Sequence, residues 1–154
     1  MENNYRVDKV DREILKILME DALTPYSEIA RKLIISAGTV HVRMKRLTEL
    51  GIVKGAQVLI NEGKFGYGIC AFVGIQLQKS SEYTEAVLKM KSIPEIVELH
   101  YTTGTYSILA KIFCKDTEHL REILTEKIQV IQGIQQTETF ISLEENIKRQ
   151  IKFD

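Results

Sequence analysis

Tryptophan is absent from the 154 residues, and cysteine and proline occur only twice each. Cys70 and Cys114 each lie within an apolar run, which argues for thiols in a reducing compartment and against a disulfide scaffold or a Cys-rich zinc site. No apolar run approaches the ~20 residues needed to cross a bilayer, so a membrane-spanning helix is excluded. The opening Met-Glu-Asn-Asn-Tyr has neither the basic start nor the apolar stretch of a secretory signal, and a cytoplasmic protein is expected. Net charge is also lacking, because 21 Lys and Arg balance 21 Asp and Glu. His41, His100 and His119 share no metal-ligand spacing. Gly63, Gly66 and Gly68 precede an apolar run where a phosphate loop would follow one, and no nucleophile sits in a catalytic motif. The expectation is therefore no metal, no cofactor and no enzymatic activity. What remains, 44% hydrophobic and 27% charged residues, is the balance of a soluble globular chain with one ordinary domain or two small ones.

The charge is unevenly placed. Residues 1–60 carry ten basic and eight acidic side chains, while 61–154 carry eleven and thirteen. Between Arg31 and Lys54 there are six basic residues against one acid, Glu49. Such an excess is either the footprint of a polyanion or a solvated helix face.

Helical periodicity fills the first sixty residues. Val10, Ile14, Ile17 and Leu18 share one face of a helix capped by Asp8. Thr24-Pro25 reads as a cap followed by proline at the first helical position, with Tyr26, Ile29, Ala30 and Leu33 facing inward. A third helix is expected from Ser36, burying Val40, Met44 and Leu47 and closing at Leu50-Gly51. Residues 52–60 read as one or two short strands. Three glycines in positions 61–68 mark a hinge, so the expected division is 1–60, 61–68 and 69–154.

Beyond the hinge the pattern is strand (69–78), helix from Ser81, strand (96–102), strand (106–114), helix from Asp116 to Gly133, and strand (134–143). Right-handed crossovers convert that order into a ferredoxin-like sheet with helices on one side. The open sheet face would be too apolar to meet water, and a second chain is expected to cover it. The fold class is thus α+β, a winged helix-turn-helix domain followed by a ferredoxin-like domain.

Two helices joined only by Ile34, Ile35 and Ser36, the second rich in Arg and Lys, form a helix-turn-helix. Ser36, Ala37, Gly38, Thr39, His41, Val42, Arg43, Lys45 and Arg46 lie off the apolar stripe and are the candidate DNA contacts. Thr39 and His41 would meet base edges, and Arg43, Lys45 and Arg46 phosphates or guanine. A plain three-helix bundle with a basic face is the alternative.

Six segments in order carry a family resemblance that spans residues 6–150. They are the run Val7–Leu18, Tyr26–Leu33, Ser36 with Thr39–Leu47, Leu50–Val53, Tyr101–Ser107 and Gln136–Thr139. Together they resemble the Lrp/AsnC (feast/famine) transcriptional regulators of bacteria and archaea. The resemblance implies a sequence-specific DNA-binding regulator, cytoplasmic and nucleoid-associated. It also implies a homodimer that assembles further into an octamer, and a small amino acid bound at a cleft between subunits. The family often has glycine at the position of Ile34 and Ser-Pro-Glu where this chain has Ser36-Ala37-Gly38. A β-branched residue at that turn means a differently built turn or a strained one.

An amino acid offers an ammonium and a carboxylate, which need acceptors and donors together. The candidate effector residues are Tyr101, Thr102, Thr103, Gly104, Tyr106 and Ser107 on one hairpin, with Gln129, Gln135, Thr137 and Glu138 beyond it. The hairpin also reads as a tight turn with polar tips. An uncharged Ser107, where members with an acidic site place Asp, suits a polar neutral effector such as asparagine. Two rivals remain. One is a metabolite-binding module whose N-terminal helices make protein contacts; the other is an architectural protein that wraps DNA without sequence preference.

Overall fold

The structure, a computed structural model, describes residues 6–153; the opening segment read above for a secretory signal lies outside them. The chain forms two compact units. One ends at Leu59 and takes in the chain from Lys148 onward, and the other is Ile60–Ile147.

The first unit holds three helices, α1 (Lys9–Glu20), α2 (Tyr26–Leu33) and α3 (Ala37–Glu49). A capping box opens α1: the Asp11 amide donates to the Asp8 carboxylate at 2.9 Å, and the Asp8 amide donates back to Asp11 at 3.1 Å. The second helix starts one residue later than expected. Pro25, with ψ at 143°, is still extended, and it occupies the cap position without a side-chain bond. Ser36 caps α3 by accepting from the Thr39 amide at 3.0 Å. Ile14, Ile29, Ala30, Val40, Met44 and Leu47 form the core, as the helical spacing requires.

Between α2 and α3 the backbone turns left-handed at Ile34, with φ 56° and ψ 48°. The Ile35 amide then reaches back to the Ala30 carbonyl, 3.0 Å away, and Ile35 packs on the core. The turn is built in the usual way, with a β-branched residue where glycine is at ease, and is strained. Gly51, at φ 69°, closes α3 without that cost.

The strands expected in residues 52–60 do not form. A strand needs a ladder partner, and this segment pairs with none of the described residues; Val58, Leu59 and Ile60 stay exposed. Residues 61–68, the expected hinge, carry local structure. Glu62–Phe65 make a 3-10 turn, capped by the Asn61 side chain and closed by Gly66.

The second unit runs β1 (Ile69–Leu77), α4 (Tyr83–Met90), β2 (Ile96–Tyr101), β3 (Ile108–Cys114), α5 (Thr117–Glu122) and β4 (Ile134–Ile141). The sheet order is β2-β3-β1-β4, antiparallel throughout, the ferredoxin-like arrangement. Ser81 does not cap α4; Ser80–Glu82 form a 3-10 turn ahead of it. α5 widens into a π-helical turn over Ile123–Ile128, and Gly133 lies after it, in the connection to β4. Alternation along β1 and β3 sends Ala71, Val73, Ile75, Ile108, Ala110 and Ile112 toward Ala86, Met90, Leu120 and Ile123 of the helical layer. Phe72, Leu109 and Phe140 point to the opposite, uncovered face and remain exposed.

Candidate functional site

On α3 the buried stripe Val40–Met44–Leu47 fixes which residues face outward. At about 100° per residue, the arc opposite that stripe is Gly38, Val42, Lys45 and Glu49. Ser36, Ala37, Gly38, His41, Val42, Lys45 and Arg46 are all exposed. The His41 ring lies to one side, 6.0 Å from the Tyr26 ring centre. Lys45 approaches Glu49 at 3.9 Å, a long surface pair that leaves the ammonium in water.

Two residues of this helix expected at DNA have partners within the fold. Thr39, expected at base edges, is half-buried, with its hydroxyl 2.9 Å from the Ser36 hydroxyl. Arg43 was assigned to phosphate or guanine. Its Nη1 instead donates to Asp8 at 2.7 Å and to Asp11 at 2.8 Å, tying α3 to the start of α1. Asp11 is fully buried and the Arg43 side chain is 27% exposed. The guanidinium is held firmly charged by these carboxylates. Asp8 is held below the usual carboxylate range, first by the Asp11 amide and then by Arg43. Arg43 is thus engaged within the fold by two charge-assisted bonds, one of them to a fully buried carboxylate.

The candidate effector residues fall into two groups on opposite faces of the sheet. On the open face, the Tyr106 ring lies flat against Gly74: a methyl at Gly74 would sit 2.7 Å from the ring. The Tyr106 hydroxyl donates to Glu138, which pairs across the ladder with Gly74. The loop is pinned by the Thr102 amide, which donates to the Ser107 carbonyl at 3.0 Å, and by the Thr102 hydroxyl, which donates to the Tyr106 carbonyl. Thr103 and Gly104 form the exposed tip, and Gln135 is exposed as well. On the helical face, Gln129 donates to the Thr137 hydroxyl at 2.9 Å, and the Tyr101 ring is tilted at 48° against Tyr83 with ring centres 4.3 Å apart. Thr137 and Glu138 are neighbours in a strand and so point to opposite sides. Within one chain the candidate effector residues therefore do not converge on a single cleft.

Other organising residues escaped the sequence reading. Asp8 is legible as a cap, but neither it nor Asp11 is legible as a partner of Arg43. Gly74 carried a signal, since glycine inside a strand often marks a close approach. Lys111 is nearly buried on the open face, 3.6 Å from Glu98 and 3.3 Å from Glu145, with the Phe72 and Phe113 rings beside it. The Glu95 side chain is 10% exposed and accepts from Lys127 at 2.7 Å, with His119 at 3.3 Å. Burial pushes the Glu95 carboxyl up, but Lys127 and His119 outweigh it and the net shift is downward. Among the described residues, no group of three His, Cys, Asp or Glu is placed to hold a metal ion. No helix among them is long and apolar enough to cross a membrane.

Residues 7–54 match the winged helix-turn-helix DNA-binding model, and 70–151 match the Lrp/AsnC ligand-binding domain. The chain is 43% identical to the regulatory protein AsnC of Haemophilus influenzae, over 96% of its own length and 99% of the relative's. It is 42% identical to the Escherichia coli AsnC, over 97% and 98%. The solved structure of E. coli AsnC superposes with a TM-score of 0.90, covering 96% of this chain and 99% of that one at 40% identity. A feast or famine regulatory protein from M. tuberculosis, complexed with L-methionine, shares the fold at 24% identity and a TM-score of 0.88, over 96% and 99%. With both halves matched in order, this chain belongs to the Lrp/AsnC family of helix-turn-helix transcriptional regulators.

Proposed function

We propose that the chain regulates transcription by binding a specific duplex site, with its DNA affinity or assembly set by a small amino acid. The observation that carries this reading is the outward arc of α3. A rigid buried stripe holds up an exposed face of Gly38, Val42 and Lys45, with Arg46 on its flank. Such a helix fits the major groove, and two copies related by a two-fold axis read half-sites about one helical turn apart or a multiple of it. In a salt titration of operator affinity, Lys45→Ala with Arg46→Ala should lower affinity and flatten the slope by up to about two units. An unchanged slope would defeat the groove model.

The second copy is supplied by the open sheet face. Phe72, Leu109 and Phe140 are exposed there around the nearly buried Lys111, and a matching sheet would cover them. The reading is a homodimer that assembles into an octamer, cytoplasmic and associated with the nucleoid, and a regulator rather than an enzyme. The effector is an amino acid held by the Tyr101–Ser107 hairpin and by Gln129, Gln135, Thr137 and Glu138. Because those groups divide between two faces, the site is completed by a second chain. The L-methionine held by a relative of the same fold supports the ligand class. An uncharged Ser107 favours a neutral polar side chain, asparagine being the first to try. No cofactor enters this mechanism. A thermal-shift screen against the twenty amino acids should single out one small set that raises the melting temperature. A flat response would overturn the effector reading.

A further inference from the structure

Val42 is 67% exposed at the middle of the outward arc of α3. The polar side chains around it in the N-terminal half of the helix have other duties. The Ser36 and Thr39 hydroxyls bond each other, and Arg43 is clamped on Asp8 and Asp11. His41 lies to the side, by Tyr26. One turn before Val42 stands Gly38, where an added methyl would meet only the Ser36 hydroxyl, 3.7 Å away. The fold therefore leaves this spot bare, and the backbone can approach a surface closely. What the N-terminal half of α3 offers at its centre is an aliphatic side chain beside uncovered backbone.

An aliphatic group distinguishes base pairs in the major groove by one feature, the C5-methyl of thymine. From this placement we propose that Val42 reads a thymine methyl in each half-site. Base recognition by this part of the helix then rests on apolar contact, and the charged residues Lys45 and Arg46 supply affinity without sequence preference. The inference rests on the reading of α3 as the recognition helix.

The test uses the full chain and a duplex selected by it from a random-sequence pool at fixed salt. Each thymine is replaced in turn by uracil, which removes the methyl and leaves the pairing intact. At one position per half-site the affinity should fall about three- to ten-fold. Val42→Ala should abolish that difference and leave the salt slope unchanged, because a neutral contact releases no counterions. Val42→Ile should keep it. Helical circular dichroism reports folding, which an exposed alanine in a helix does not threaten. Tolerance of uracil at every position, or persistent discrimination by Val42→Ala, overturns the methyl contact while leaving DNA binding intact. Failure to enrich any duplex overturns the recognition-helix reading itself, and this proposal with it.

Discussion

Replacing Arg43 with alanine separates a clamp from a DNA contact. The guanidinium makes two charge-assisted bonds, at 2.7 Å to Asp8 and 2.8 Å to Asp11. Asp8 is half-exposed, and water replaces most of what it loses, so its share is small. Asp11 is fully buried, and removing the guanidinium takes away a charged partner that helps offset its desolvation. Discounting for the partial exposure of Arg43, the loss is about 2–3 kcal/mol. The pH dependence has a definite sign. The folded Asp8 carboxyl titrates below its ordinary value near 3.8, so the pair stabilises the fold above that pH. That stabilisation fades as the pH falls through the lowered folded value. The Asp8 share of the Arg43→Ala loss should therefore be present at neutral pH and shrink in acid. Urea denaturation followed by helical circular dichroism, repeated from pH 7 to pH 3, measures both effects. Operator binding measured where the variant is fully folded should keep the parent salt slope. A variant as stable as the parent, with a slope reduced by about one unit, would refute the clamp and return Arg43 to the phosphates.

Ile34→Gly should raise the stability of the first unit by about 0.5–1 kcal/mol, since it relieves a left-handed β-branched residue that is 93% exposed. A lower melting temperature for that variant would contradict the strain. Gly74→Ala should cost about 1–3 kcal/mol, because its methyl collides with the Tyr106 ring; adding Tyr106→Ala should recover much of the loss in a double-mutant cycle. Additive losses would show that the two residues do not meet. Lys127→Ala should cost about 1–3 kcal/mol at neutral pH by leaving the largely buried Glu95 to His119. Because the Glu95 carboxyl is held below its ordinary value near 4.5, that difference should shrink as acid protonates it, and a pH-independent cost would argue against the ion pair.

The fold was largely legible because its signals are local. The Asp8, Ser36 and Asp116 caps work within one turn, and each was readable as a short-range pattern. The buried stripe of α3 follows from spacing alone. The strands expected at 52–60 failed for the converse reason: apolar, β-branched residues mark a segment able to pair, but pairing needs an edge elsewhere. The candidate site was legible in part. The outward arc of α3 followed from periodicity, whereas the division of the effector residues between two sheet faces did not, because hairpin and strand meet only after folding.

Sequence by itself determined the order of helices and strands, the apolar faces and the family, all written in periodicity and in neighbours a few positions apart. Tertiary structure alone decided that Arg43 serves the fold, because its carboxylates lie 35 and 32 positions away in the chain. It also decided that Tyr106 rests on Gly74 and reaches Glu138, 32 positions further on. Contacts of that range depend on how elements pack, and packing is set by the shape of the whole core, which no local pattern encodes.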